Sequence, residues 1–566
     1  MSLSSLYLGR PAVSSQWNLR SSFLAASRLT VLLVFAVWIA VCLSAAPLMA
    51  QIYTDLHDFN CLTEGCQPDY PAILAQGRDG NLYGTTQLGG TNGLGTAFKI
   101  TPSGTYTTLY NFSTGPDGFN PVGGLTLGTD GNFYGTTSSG GAANLGTIFK
   151  MTPAGVITTL YSFSGPDGGS PRGAPIQGKN GQFYGTTCSQ FGPWTAYSIT
   201  TSGKFKLLTK SIPPCPFGGL VLGTDGSFYG TSQVGGDTYR GTVFRMTPAG
   251  GVKILHNFEY VDGAYLYSPV VQGNDGMLYG TTSGGGSGQG GVIFKIATTG
   301  KKFLVMHEFD ATSQTDGATP FAGLVAANDG KFYGATSGGE NFGQTPAGTL
   351  FQIGSNSAYT MLLPFDGTHG GEDEATPMQH TNGTIYSVTQ SGGPFVTNGV
   401  VYSLDMGLAP FVSLMTRWGT AGQTVEILGN GLTGTTAVHF GSGSATFNVV
   451  SDTYMTAVIP ADGTADFVTV TTPSGTLTSN RTFFVTPVIS AIAPASGPVG
   501  TIVTITGSGL GGATQVKFGA VKATNYTVNS GTSITATVPS GAKTGKVAVT
   551  TAGGTVSSKA VFTVTP

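Results

Sequence analysis

Between residues 52 and 404 the chain breaks into short extended runs separated by glycine- and proline-bearing turns. One unit reads Pro121-Val122-Gly123-Gly124-Leu125, then Phe133-Tyr134-Gly135-Thr136-Thr137, then Gly146-Thr147-Ile148-Phe149-Lys150-Met151, then Ile157-Thr158-Thr159-Leu160-Tyr161-Ser162-Phe163. An Asp-Gly pair joins the first two runs and Pro-Ala-Gly or Pro-Ser-Gly the last two, which is hairpin turn chemistry. The core motif is Asp-Gly-x-aromatic/aliphatic-Tyr-Gly-Thr-Thr. It appears first at Asp79–Thr86 and returns around Gly131, Gly181, Gly226, Gly276, Gly330 and Gly383, at intervals of 51, 50, 45, 50, 54 and 53 residues. A period near 50 with four strands per unit predicts a propeller, and the copy number makes it seven-bladed. The seventh unit stops at Val400-Val401-Tyr402-Ser403-Leu404 without a fourth strand. The matching orphan, Ile52–Phe59, lies at the other end and is expected to close the ring by covering that sheet edge.

From about Gly407 the motif stops and two units near 78 residues follow. Gly429-Asn430-Gly431-Leu432 leads to Val438-His439-Phe440-Gly441, and Gly507-Ser508-Gly509-Leu510 to Val516-Lys517-Phe518-Gly519. Alternating Val/Thr/Ile runs broken by Gly and Pro read as sandwich strands. The expected class is all-β: a seven-bladed β-propeller followed by two Ig-like β-sandwich domains. The expected plan is a signal peptide over 1–50, the propeller over 51–406, and sandwiches over 407–487 and 488–566.

The first fifty residues read as an address. Arg10, Arg20 and Arg28 are their only charges, Val31–Leu43 is apolar, and Leu48-Met49-Ala50 precedes Gln51. That order is a secretory signal with cleavage expected near Ala50, an uncleaved anchor being the alternative. Cleavage leaves 22 basic and 27 acidic residues. Cys42 follows the bulky Val41, which argues against lipidation. The protein is expected to be secreted, periplasmic or on the cell surface, with no membrane span after signal cleavage.

Composition narrows the function classes. The chain has 89 glycines in 566 residues, and 9% of its residues are charged, against a typical ~25%. So much glycine excludes a helical bundle. With 25 basic and 27 acidic residues there is no surplus of positive charge for a nucleic-acid partner.

The repeat core over about 52–405 resembles the tandem-repeat (choice-of-anchor) proteins known as GloVer. That resemblance implies an exported bacterial surface or envelope protein, variably anchored and without an established activity. Pro494-Ala495-Ser496-Gly497-Pro498-Val499-Gly500 and the runs after it resemble the IPT/TIG immunoglobulin-like family over 488–566. Over 409–487 the resemblance is weaker, because Met415-Thr416-Arg417-Trp418-Gly419 stands where the Pro-x-Ser-Gly-Pro opening belongs. This family implies adhesion or spacer modules.

Candidate chemistry is sparse. Four cysteines follow the expected signal, an even number for an exported chain. Cys61 and Cys66 share a loop. Cys188 lies in a second-to-third-strand loop and Cys215 in a blade-to-blade loop, which emerge on one face, so two disulfides are expected. No Cys-x-x-Cys or paired histidines suggest a metal, and no cofactor is expected. His57, His256 and His307 occupy one repeat position, held elsewhere by Tyr110 and Tyr161, and read as blade packing. His369, His380 and His439 lack a nucleophile at a familiar spacing. Asp117, Asp167, Asp262 and Asp316 recur in blade-to-blade loops as turn formers, without a calcium-loop pattern. On the long-loop face fall Tyr70, Phe119, Phe191, Trp194, Tyr239, Tyr260, Tyr265, Tyr267, Phe342 and Phe395. Of these, Trp194, Tyr239, Tyr260, Tyr265 and Tyr267 are the candidate ligand contacts, since planar rings stack on sugars and anchor interfaces.

These features point to a non-enzymatic, monomeric binding or adhesion protein. Its loop face contacts glycan or protein, and the sandwiches serve as a spacer. The alternatives are a propeller polysaccharide lyase or glycoside hydrolase, which needs carboxylates or a Tyr/His/Arg set converging at the pore, and a purely structural envelope component.

Overall fold

A computed structural model describes residues 51–68, 74–189, 192–312, 316–338, 348–367, 369–392 and 398–566. The expected signal segment, and Tyr70, Phe191, Phe342 and Phe395, lie outside them. Among the described residues all regular structure is β, and no helix is long and apolar enough to cross a membrane.

The repeat motif builds each blade through contacts only a few residues long. Seven four-stranded antiparallel sheets follow one another; the second blade, for instance, runs Thr126–Leu127, Phe133–Thr137, Thr147–Met151 and Ile157–Ser162. The motif tyrosine donates its hydroxyl hydrogen bond to the aspartate of the Asp-Gly turn, at 2.8 Å for Tyr83–Asp79 and 2.7 Å for Tyr134–Asp130. Asn180 and Asn382 take the aspartate's place in two blades, donating to Tyr184 and Tyr386 at 3.0 Å. The motif glycine is a socket for the third-strand aromatic. A Cβ on Gly84, Gly135, Gly230 or Gly334 would lie 2.5–2.6 Å from the tip of Phe98, Phe149, Phe244 or Phe351. The second threonine bonds its third-strand partner, 2.9 Å for Thr86–Thr96, Thr137–Thr147 and Thr187–Thr195.

Blades are joined by the same residues. The first threonine reaches the following blade, Thr231 to the Ser268 carbonyl at 2.7 Å and Thr281 to the Ala322 carbonyl at 2.9 Å. The motif tyrosine stacks on the next blade's motif phenylalanine, Tyr83 on Phe133 at 4.1 Å and Tyr134 on Phe183 at 3.8 Å. Outer strands are coupled through the histidine position. His57, His256 and His307 bond Glu64, Asp262 and Asp316 at 2.9–3.0 Å, as Tyr110 bonds Asp117 at 2.6 Å. The three imidazoles stack on Tyr106, Phe303 and Tyr359 at 3.8–4.2 Å, so each orders its own loop and fastens the next blade.

The ring closes as its arithmetic demands. Ile52–Asp58 pairs antiparallel with Val400–Asp405, from Ile52↔Asp405 to Asp58↔Val400, with a register shift between Asp55 and His57. Tyr53 stacks on Tyr402 at 5.1 Å across this seam.

The two C-terminal modules share one topology, each a four-stranded and a five-stranded sheet. Their cores are Ile427, Val438, Phe440, Met455, Val470 and Phe483 in the first, and Ile505, Val516, Phe518, Ile534, Val549 and Phe562 in the second. Despite its divergent opening, Trp418–Gly419 pairs parallel with Phe484–Val485, just as Ser496–Gly497 pairs with Thr563–Val564. The first module does more than extend the chain: it seats against the tight-turn face of the propeller. Arg78 forms an ion pair with Glu426 at 2.7 Å, the Thr453 hydroxyl donates to the Arg78 carbonyl at 2.7 Å, Thr381 donates to the Gly429 carbonyl at 2.9 Å, and Arg481 donates to the Gln272 carbonyl.

Candidate ligand-binding face

At one repeat position every blade carries a non-glycine residue in the left-handed region: Gln67, Asn120, Ser170, Cys215, Tyr265, Thr319 and Glu372, with φ between +47° and +62°. Such a backbone is uncommon for a side-chain-bearing residue. Each copy turns the chain from the blade-to-blade loop into the innermost strand. The residue that follows is Pro68, Pro121, Pro171, Pro216, Leu266, Pro320 or Asp373.

The residue two positions after this turn stands at the inner edge of its blade. In the described blades from third to seventh these are Arg172, Phe217, Tyr267, Phe321 and Glu374. Arg172, Phe217, Tyr267 and Phe321 make a continuous arc. The Arg172 guanidinium lies 5.0 Å over Phe217. Phe217 meets Tyr267 edge-on at 5.5 Å, and Tyr267 meets Phe321 edge-on at 4.8 Å. Glu374 is 5% exposed, and its charge reaches Tyr267. Burial, chiefly, pushes the Tyr267 hydroxyl up, Glu374 adds to that, and a hydrogen bond with Gln233 opposes it. The Nε of Arg172 is buried without a hydrogen-bond partner among the described residues.

Small residues directly behind the arc allow the blades to converge. A Cβ on Gly123 would lie 2.6 Å from the Ala174 amide nitrogen, and one on Gly173 2.5 Å from the Gly219 Cα. The arc therefore stands on backbone packed against backbone, a rigid floor for a site.

The five candidate aromatics separate. Tyr267 belongs to the arc. Tyr265, one of the left-handed residues, accepts a hydrogen bond from Arg240, whose guanidinium also lies 5.1 Å over Tyr260. Tyr260 and Tyr239 are 43% and 73% exposed at the rim. Trp194 packs against the cluster of Tyr184, Ala196, Leu220 and Phe244 between the third and fourth blades. Both disulfides form on this face, Cys61–Cys66 with Cα atoms 4.8 Å apart and Cys188–Cys215 with 4.3 Å. Cys215 is itself a left-handed turn residue, so its bridge anchors the loop presenting Phe217. Sequence reasoning missed Arg172, Phe217, Phe321 and Glu374. Their common place, two residues after the pre-strand turn, was the available signal, together with Glu372-Asp373-Glu374 standing where most blades carry x-Pro-x.

The repeat and its blade geometry agree with the known families. The Gloeobacter/Verrucomicrobia repeat model matches residues 45–210 and 216–448. The chain belongs to the Gloeobacter/Verrucomicrobia repeat family. In this member an IPT/TIG domain follows, matched over 487–564. No curated protein sequence matches it significantly. Among solved structures it is similar to virginiamycin B lyase from Staphylococcus aureus, at 17% identity over 62% of this chain and 98% of that one, with a TM-score of 0.42. An oligogalacturonate lyase in complex with manganese gives 12% identity over 64% and 94%, with a TM-score of 0.41. SGBP-B from a complex xyloglucan utilization locus in Bacteroides uniformis gives 18% over 27% and 48%, with a TM-score of 0.16. Likeness at this level carries no chemistry to this repeat-family member.

Proposed function

We propose that the protein is an exported, monomeric binding protein whose loop face holds a glycan at the inner ends of its blades. The observation that carries this reading is the run of rings Phe217–Tyr267–Phe321, the first 7% exposed and the other two half-buried, with Arg172 over Phe217 and Glu374 acting on Tyr267. Aromatic faces and edges cover the apolar patches of sugar rings, while charged groups at the ends bond hydroxyls or a carboxylate. Burial leaves the Arg172 Nε without a hydrogen-bond partner among the described residues, a donor still to be matched. The two disulfides fit an oxidising compartment outside the cytoplasm. A glycan array followed by calorimetry with the best ligand tests the reading. Phe217→Ala and Tyr267→Ala are expected to weaken binding at least tenfold with the circular dichroism spectrum unchanged, and unaltered binding would remove the site from the arc.

A second reading rests on one observation, that Arg172 and Tyr267 meet the same ring, Phe217, and that Glu374 acts on Tyr267. Such a set suits a polysaccharide lyase, with Arg172 neutralising a uronate and Tyr267 moving a proton. Incubation with acidic polysaccharides, read by the absorbance of an unsaturated product, separates the two: binding without turnover supports the binding protein.

A further inference from the structure

On the face opposite the arc, a cleft of about 560 Å3 lies between the propeller and the first sandwich. Thr129, Gln177, Lys179 and Leu222 line one wall, and Arg417, Trp418 and Gln423 line the other. Its charge is one-sided. Lys179 and Arg417 are the charged lining residues, with no carboxylate among them. The Lys179 Nζ lies 4.0 Å, and the Arg417 Cζ 5.8 Å, from the centroid of the Trp418 ring, so both cations lie by one indole. A third cation, Arg481, lies half-buried close behind, with its hydrogen bond going to the Gln272 carbonyl. The acids nearby are occupied: Asp225 is bound by Arg245 at 2.9 Å and Tyr229 at 2.9 Å, and Glu426 by Arg78 at 2.7 Å.

We infer that this cleft is a binding site for an oxyanion, a carboxylate, phosphate or sulfate group, held by Lys179 and Arg417 between the propeller and the first sandwich. Cations gathered in a partly desolvated place repel one another and cost free energy unless an anion joins them. The repulsion is visible in the groups themselves. Burial first, then Arg481, holds Arg417 down to about 10, and burial together with Arg417 lowers Lys179 although Asp225 opposes this. With 9% charged residues overall, three cations in one place are not the surface background of this chain.

The second sandwich supplies an internal comparison. By strand register, Arg417, Trp418 and Arg481 correspond to Ala495, Ser496 and Ala560. The module that seats on the propeller carries the cations and the indole, and the module without a hydrogen bond to the propeller among the described residues carries small neutral residues. The departure of Met415–Gly419 from the IPT/TIG opening thus supplies both Arg417 and Trp418. Because the cations come from both walls, an anion bound between them strengthens the docking of the first sandwich.

Thermal melts of the purified protein in sodium sulfate, sodium phosphate and sodium glucuronate, each against sodium chloride at matched ionic strength, test this. A saturable rise in melting temperature with at least one oxyanion and none with chloride is expected. Which of the three acts at the lowest concentration separates a free inorganic ion from the acid group of a sugar. Lys179→Gln and Arg417→Gln are expected to weaken the response at least tenfold. Should Arg417→Gln fail to fold, equilibrium dialysis of labelled sulfate against native protein and Lys179→Gln decides, with one site per chain expected in the first and a tenfold weaker one in the second. No saturable response, or the same response in Lys179→Gln, overturns the site.

Discussion

Tyr402 donates a hydrogen bond to Asp373 at 2.5 Å inside the seventh blade, where neither residue is exposed. Asp373 stands where five other blades carry proline, and Tyr402 lies in the strand that Ile52–Asp58 must join to close the ring. Burial pushes the Asp373 carboxyl up to about 8, and hydrogen bonds from Tyr402, the Ala375 amide and Ser387 offset only part of this.

An unfolded aspartate titrates near ~3.9. Between that value and about 8 the folded protein therefore keeps a proton that the unfolded chain releases. Stability falls as pH rises through this window and levels off above it. Asp373→Asn retains an acceptor for Tyr402 without titrating. The wild-type melting temperature is expected to drop relative to Asp373→Asn between pH 4 and about 8; a constant difference across that range contradicts the assignment.

The glycine of the repeat motif is a steric requirement rather than a turn. In Gly135→Ala the new Cβ would meet Phe149 Cζ at 2.5 Å and Leu125 Cδ2 at 3.0 Å. The expected cost is about 1–3 kcal/mol by denaturant unfolding. Gly135→Ala combined with Phe149→Leu, which removes the ring tip, is expected to lose less than the sum of the two single changes.

The two disulfides differ in the length of chain they close, 27 residues for Cys188–Cys215 and 5 for Cys61–Cys66. On loop-closure entropy, replacing the first pair by serine costs about 3–4 kcal/mol and the second about 2 kcal/mol. Losing Cys188–Cys215 also releases the turn that presents Phe217, so ligand affinity is expected to fall with it. Calorimetric binding on both serine variants checks this, since the Cys61–Cys66 bridge has no arc residue beside it among those described.

Trp194 and Tyr267 separate folding from binding. Trp194→Ala opens the packing between the third and fourth blades and is expected to cost about 2–4 kcal/mol of stability while ligand affinity holds. Tyr267→Ala is expected to weaken binding by about 1–3 kcal/mol with a small change in melting temperature. Paired melts and titrations read both, and loss of affinity in Trp194→Ala alone would move the site to the Trp194 loop.

Blade number, strand count, the closing strand and the pairing of the four cysteines were legible in the chain, because the contacts behind the repeat are short in sequence. Tyr134 bonds a residue 4 positions away, and Thr137 bonds one 10 away. Local chemistry repeated every fifty residues or so leaves a periodic trace. The arc of Arg172, Phe217, Tyr267, Phe321 and Glu374 left only a shared position, two residues after the pre-strand turn, because its members differ in residue type. They become one surface only when the curvature of the ring brings the inner ends of the blades together. The seating of the first sandwich was likewise decided in three dimensions. Arg78 and Glu426 are 348 residues apart, and Lys179 meets Trp418 only after the chain has completed the ring and passed beneath it. Charges in so sparsely charged a chain look like isolated surface groups until folding places them against one another, and the energetics of desolvation, absent from any linear pattern, then decides which of them are partners and which are left to attract a ligand.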